Sequence, residues 1–226
     1  MLAYGPYHEV DQLNIFEAKT LRFTMTLSRR QILLSSVILT SPLATATQAS
    51  EVSNSAKGEL SPGTNLEQIY NNLLKNGHGI QKKNLPENLP IVVVVTDTQC
   101  PWCSKFWQAA LPLTDRINFI YYPVAVLRDD SVSQGGAVLS APNPWMMMIR
   151  HERHFKDIDH RGLKTDTMII PQKFRDMVWT NSKIFRRAGG IVVPLGIFKN
   201  AKGEYVPIFS GTNTDEMEKL LNLSNK

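Results

Sequence analysis

The sequence predicts an α/β fold in which a helical insertion, about residues 131–189, separates a βαβ half from a C-terminal ββα half. Two observations carry the first half. Ile91-Val92-Val93-Val94-Val95 is an unbroken β-branched run of the kind buried on both faces of a sheet, and Cys100-Pro101-Trp102-Cys103 stands just beyond its end. The third is the C-terminal order of apolar run, Lys199–Gly203 turn, second short strand and amphipathic end.

Asn65 can cap a helix running to about Lys75, with Leu66, Ile69, Leu73 and Leu74 near one stripe, and Gly77 and Gly79 end it. Pro86 and Pro90 bracket a connector to the first strand. A helix is expected from Cys100, with Phe106, Trp107, Ala110 and Leu111 apolar and Pro112 as a kink. The second strand is read as Asn118–Val126, which completes a βαβ unit with the cysteines at the first strand's C-terminal end. Helices are expected at Ser133–Ala141, Pro144–Phe155 and Pro171–Ala188, and Gly189-Gly190 breaks the last. Ile191–Phe198 and Glu204–Phe209 read as a hairpin. A final helix begins near Asn213 or Thr214, with Glu216 placed for a capping arrangement and Met217, Leu220 and Leu221 facing inward.

The front of the chain reads as a leader and export signal, residues 1–49. Met25 is followed by Arg29-Arg30, an apolar stretch Ile32–Leu39, and small residues through Ala49, which is the order of a cleavable signal. Ser28–Leu33 also resembles a twin-arginine signal. Residues 1–24 precede a complete signal, so either translation starts at Met25 or the leader is long. Residues 50–64 read as a flexible segment, 65–90 as linker helix and connector, and 91–226 as the catalytic domain. Export places the chain in a periplasm-like oxidising compartment.

The 226 residues carry a net charge of +5, scattered rather than massed, so no nucleic-acid partner is expected. No apolar run after residue 50 is long enough to span a membrane.

The two cysteines, Cys100 and Cys103, are too close to close a useful loop. They are suited instead to cycling between dithiol and disulfide. At a helix start, unpaired N–H groups and the dipole favour a thiolate on Cys100, while Cys103, nearly one turn on, can attack a mixed disulfide held there. A zinc site with His151 and His154, His160 lying nearby, is the alternative. Its ligand pairs are farther apart than structural sites use, and His151 and His154 are expected on an exposed helix face. No metal or other cofactor is expected. Asp97 can tune the titration of Cys100, relay a proton or simply make a turn. Trp102 and Trp107 can line a substrate groove, with Trp107 assigned to the core. Met146-Met147-Met148 is assigned to core packing rather than copper binding.

From the first strand through Pro112 the chain resembles the periplasmic protein-disulfide isomerases of the DsbC/DsbG type, in the thioredoxin superfamily. Asp97, Cys100-Pro101-Trp102-Cys103, Phe106-Trp107-Gln108, Ala110 and Pro112 carry the resemblance, which returns at Val193-Pro194. It implies a thioredoxin fold, Cys100 as the exposed nucleophile, Cys103 as the resolving thiol, and Pro194 as a cis-proline opposite them. Local sequence leaves Pro194 open between cis and a trans proline on an edge strand; its spacing from the cysteine motif points to cis. Val193 and Pro194, with Trp102, are then the expected substrate-binding residues. The implied partners are cysteine-containing exported proteins and a membrane redox protein that resets the pair.

The chain departs from the family pattern in two places. About 15 residues separate the signal from the first helix, too few for the family's dimerisation domain, which leaves monomer and dimer open. Val193 replaces the usual Thr and looks more like the DsbA-type oxidases. The expected function is thiol–disulfide exchange of the isomerase or reductase kind. The alternatives are a DsbA-like oxidase, a non-catalytic chaperone or assembly factor of an envelope secretion apparatus, and a metal chaperone.

Overall fold

The computed structural model describes residues 59–156, 161–209 and 212–223. The export signal, Met25 and His160 lie outside the described residues. The elements in chain order are α1 (Leu66–Asn76), β1 (Ile91–Thr96), α2 (Pro101–Ala110), β2 (Asn118–Pro123), α3 (Asp130–Ser140), α4 (Pro144–Arg153), α5 (Gln172–Arg187), β3 (Leu195–Lys199), β4 (Tyr205–Phe209) and α6 (Thr214–Leu220). This is the expected mixed architecture, a central sheet flanked by helices with extra helices in its middle.

The sheet runs β2-β1-β3-β4, with β1 parallel to β2 and antiparallel to β3, and β3 antiparallel to β4. The β-branched run of β1 is explained by its central place. Val92 and Val94 point to one face and pack with Phe106, Trp107, Phe119, Tyr121 and Trp145. Val93 and Val95 point to the other and pack with Ile69, Leu73, Phe185 and Ile197. A strand that alternates between two dry faces must be apolar throughout.

Local signals set most boundaries. The Asn65 side chain accepts from the Gln68 N–H at 2.9 Å and starts α1. Asn213 and Glu216 form a capping box on α6. Pro112 lies in a 3-10 turn, Leu111–Leu113, that ends α2.

Several expectations are corrected. The strand read from Ile191 begins only at Leu195, because Pro194 has no N–H to give the ladder. Ile191 and Val192 stay 68% and 38% exposed, while Leu195 and Ile197 are buried. The strand read to Val126 ends at Pro123: the Val124 N–H still reaches the last β1 carbonyl, that of Thr96, but the next donors leave the ladder, Ala125 for the Ser182 hydroxyl and Val126 and Leu127 for the Asp97 carboxylate. Leu74 and Leu220, expected inward, are 38% and 42% exposed, and Tyr70 takes a buried place on α1 instead. The end of the segment read as flexible is held: the Thr64 hydroxyl donates to the Gly189 carbonyl and the Asn65 N–H to the Ala188 carbonyl.

Asn181 on α5 fastens three parts together. It is fully buried; its Oδ1 accepts from the His78 N–H at 2.8 Å, and its Nδ2 donates to the His78 and Pro123 carbonyls at 3.0 Å each. Asn181→Leu leaves three backbone groups without this partner, the Pro123 carbonyl buried and the two of His78 partly so, and unfolding in urea should show a loss of about 3 kcal/mol. A loss below about 1 kcal/mol would show that these groups find other partners.

Candidate redox site

The C-terminal end of β1 delivers the chain into Asp97-Thr98-Gln99-Cys100. The Asp97 Oδ1 accepts from the Gln99 N–H at 2.9 Å and the Cys100 N–H returns to the Asp97 carbonyl at 3.0 Å, an Asx turn that aims Cys100 at the start of α2. Cys100 is the N-cap itself. Its sulfur accepts from the Cys103 N–H at 3.3 Å, and Pro101 occupies the first helical position, where an N–H is not needed.

Both cysteines are free thiols. The Cys100 thiol is lowered from its ordinary value, first by the hydrogen bond from the Cys103 thiol and further by the Cys103 and Trp102 N–H groups; burial and the charge of Asp97 oppose the shift. The Cys103 thiol is raised well above its ordinary value by burial, and by competition with Cys100. Its sulfur also accepts from the Asp97 N–H at 3.4 Å. The two sulfurs are thus pushed apart in acidity.

The implied exposure of Cys100 is corrected: the residue is only 3% exposed, like Cys103. Capping the helix turns the sulfur inward, and its thiol lies 3.6 Å from the Val193 carbonyl. That carbonyl precedes Pro194, and the Val193–Pro194 peptide bond is cis. Antiparallel pairing of β1 with β3 brings residues 93 positions apart to one edge of the sheet. Trp102, on the first turn of α2, is 39% exposed with the Lys105 ammonium 4.0 Å from its ring centre. Trp107 is core, 4.7 Å from both Tyr121 and Trp145 between ring centres.

Asp97 is 1% exposed and saturated. Besides Gln99, its carboxylate accepts from the Ser131 hydroxyl (2.6 Å) and the Val126 (2.9 Å) and Leu127 (3.0 Å) N–H groups. With four donors it clamps the loop after β2 onto the cysteine turn.

The expectation that His151 lies on an exposed face is also wrong. It is fully buried, with Nε2 2.9 Å from the Thr98 carbonyl. The charged neighbours Arg150, Glu152 and Arg153 masked it, although Trp145, Met148 and His151 are spaced as one helical face and are all buried. Met148 is core and Met146 is 52% exposed. Among the described residues no group of three or more His, Cys, Asp or Glu is placed to hold a metal ion.

No protein-family model matches the chain. The thiol:disulfide interchange protein DsbG of Pseudomonas aeruginosa is 24% identical over 133 residues, covering 58% of this chain and 50% of that protein. The match therefore spans about half the length of that relative. The catalytic domain of Proteus mirabilis ScsC superposes with a TM-score of 0.56 at 14% identity, covering 70% of this chain and 97% of that one. A periplasmic thioredoxin-like protein from Salmonella enterica serovar Typhimurium gives 0.54 at 15%, over 69% and 94%. The chain has a thioredoxin fold. In this thioredoxin fold the candidate pair, the cis peptide bond and the saturated Asp97 share the C-terminal end of β1.

His151 and Glu152 give opposite pH signatures. Burial pushes His151 down from 6.5 to about 4, so its contribution to stability is complete above pH 6.5 and lost as pH falls toward 4. Burial pushes Glu152 up from 4.5 to about 7, so its contribution is complete below pH 4.5 and lost as pH rises toward 7. Between pH 4.5 and 6.5 the two slopes cancel. Glu152→Gln removes one of them, so its stability relative to the parent should climb with pH across that window by about 1 kcal/mol per unit. Urea titrations at three pH values check this, and parallel profiles would refute it.

Proposed function

We propose that this chain is a thiol–disulfide oxidoreductase of the periplasm, of the DsbC/DsbG isomerase or reductase kind, acting on cysteines of exported proteins. The observation that carries the reading is the divided acidity of two free thiols at one helix start. Cys100 is lowered and Cys103 raised, beside the Val193 carbonyl. The likeness to disulfide-interchange proteins supports it, as does the signal-like segment at residues 25–49.

In the reductive direction the Cys100 thiolate attacks one sulfur of a substrate disulfide. A bond forms between Cys100 and that sulfur, the substrate S–S bond breaks, and the second substrate sulfur leaves as thiolate. Cys103 then loses its proton to the departing sulfur or to water and attacks the Cys100 sulfur. The substrate is released with two thiols, and the protein holds the Cys100–Cys103 disulfide. Two electrons pass from protein to substrate, and a membrane redox partner returns them. An isomerase cycle stops at the mixed disulfide and lets a different substrate thiolate displace Cys100.

Val193, Pro194 and Trp102 are the substrate-binding residues in this reading. A substrate strand pairs with main-chain groups at Val193, and the half-exposed indole of Trp102 covers the disulfide being exchanged. Val193 at the position before Pro194 favours a second reading, net oxidation in the DsbA manner, where the same steps run backward from the disulfide form.

Cys100→Ala should lower the rate of thiol exchange with a disulfide-bonded peptide by at least about a hundredfold. Full activity in that variant overturns the assignment. Cys103→Ala should accumulate mixed disulfides with exported proteins, visible as adducts that a reductant removes. Reactivation of a substrate with scrambled disulfides separates the two readings: the isomerase reading requires it, whereas the oxidase reading requires net oxidation of a reduced substrate.

A further inference from the structure

Thr98 and Gln99, between the saturated Asp97 and the nucleophile, are each 2% exposed, and their polar groups are satisfied by distant elements. The Thr98 carbonyl lies 2.9 Å from His151 Nε2 on α4, and the Thr98 hydroxyl donates to the Ser131 carbonyl of α3 at 3.5 Å. The Gln99 side-chain amide donates to Gln134 Oε1 of α3 at 2.7 Å and to the Arg161 carbonyl at 3.1 Å. Gln134 donates in turn to the Arg161 and Leu163 carbonyls at 2.9 Å each. The Leu163 N–H donates to His151 Nδ1 at 3.3 Å, which leaves the ring proton on Nε2 and makes His151 the donor to Thr98.

These bonds close a circuit from Thr98 through His151, Leu163 and Gln134 to Gln99. Thr98, Gln99, Gln134, His151 and Leu163 are all buried, and the fit is tight. Gly162 has φ of +91°, and a Cβ there would stand 2.1 Å from His151 Cε1, so only glycine lets the turn approach the ring. A buried polar network whose members are all paired is stiff, because moving one group leaves others unsatisfied.

The circuit ends on the Thr98–Gln99 peptide and the Gln99 side chain, directly ahead of Cys100. The stability of the thiolate rests on the geometry of that residue: its own N–H bonded to the Asp97 carbonyl, and its sulfur receiving the Cys103 N–H. Such bonds weaken quickly when lengthened or bent. We propose that the helical insertion is a positioning device for the redox pair, with His151 as the positioning residue that holds the Thr98-Gln99 peptide and thereby sets how readily the Cys100–Cys103 disulfide is reduced. The inference rests on the exchange reading above. It reaches the reaction through residues that touch neither substrate nor sulfur.

The test compares His151→Met, which keeps bulk but removes both ring nitrogens, with His151→Gln, which keeps an amide donor toward Thr98. Each is equilibrated with glutathione buffers beside the parent, and the Cys100 thiolate is titrated by its ultraviolet absorbance. H151M is expected to move the equilibrium at least about threefold toward the disulfide, or about 14 mV at 29.6 mV per tenfold, and to raise the titration of Cys100. H151Q is expected to recover most of that shift. A folded H151M with the parent's equilibrium and titration overturns the proposal, since a merely structural role lowers the melting temperature and moves neither. Should H151M not fold, Gln134→Met carries the same test by the same criteria. A parent that does not exchange with glutathione through Cys100 would instead defeat the exchange reading, so the two failures are distinct.

Discussion

The site depends on one interaction: a sulfur doing the work of a helix cap. Asn, Asp, Ser or Thr ordinarily accepts the first free N–H groups of a helix. Here Cys100 does so, receiving the Cys103 N–H and the Cys103 thiol. A thiolate is a better acceptor than a thiol or a disulfide sulfur, so the start of α2 and the ionisation of Cys100 are one equilibrium. The donors favour negative charge where burial alone would oppose it. Cys103 also receives donors, the Asp97 N–H and the Thr96 side chain, but burial prevails there.

That arrangement needs a rigid approach, and β1 supplies it. Its residues from Val92 to Val95 are packed on both faces, and it is paired on both edges, by β2 and β3. The end of such a strand has little freedom. Parallel pairing with β2 sets the following loop where Asp97 can collect its N–H groups, and antiparallel pairing with β3 sets Val193 beside Cys100. A carboxylate held by four donors is a good clamp. Its buried negative charge slightly opposes the thiolate it helps to position.

The helical block serves two faces. Val138, Trp145 and Met148 pack on the side of α2, while Phe185 and Ala188 pack with α1 on the other. The first group brings two ionisable residues of opposite habit, His151 and Glu152, into or against the core. Both favour their neutral forms, for the same reason of lost hydration. Glu152 is acidic by type but is held with a raised affinity for its proton behind Ser104, one turn along α2 from Cys100. His151 is basic by type but is held neutral as a donor.

What local chemistry controls was legible in the amino-acid order. The β-branched run could only be a central strand, Asn65 and Asn213 could cap, and two cysteines three apart at a strand end are more useful for exchange than for bracing. The alternation of strands and helices was enough for the sheet and its extra helices. Tertiary structure alone decided which groups are dry. Cys100 is covered where the Val193 carbonyl, just ahead of β3, lies beside its sulfur, and His151 is buried because a glycine turn eleven residues later closes against its ring. Leu74 and Leu220 stay exposed, although their type says otherwise. Periodicity in a sequence shows that a helix has an apolar side. How far that side extends depends on what the rest of the chain lays against it, and those contacts join residues too far apart for any local pattern to record.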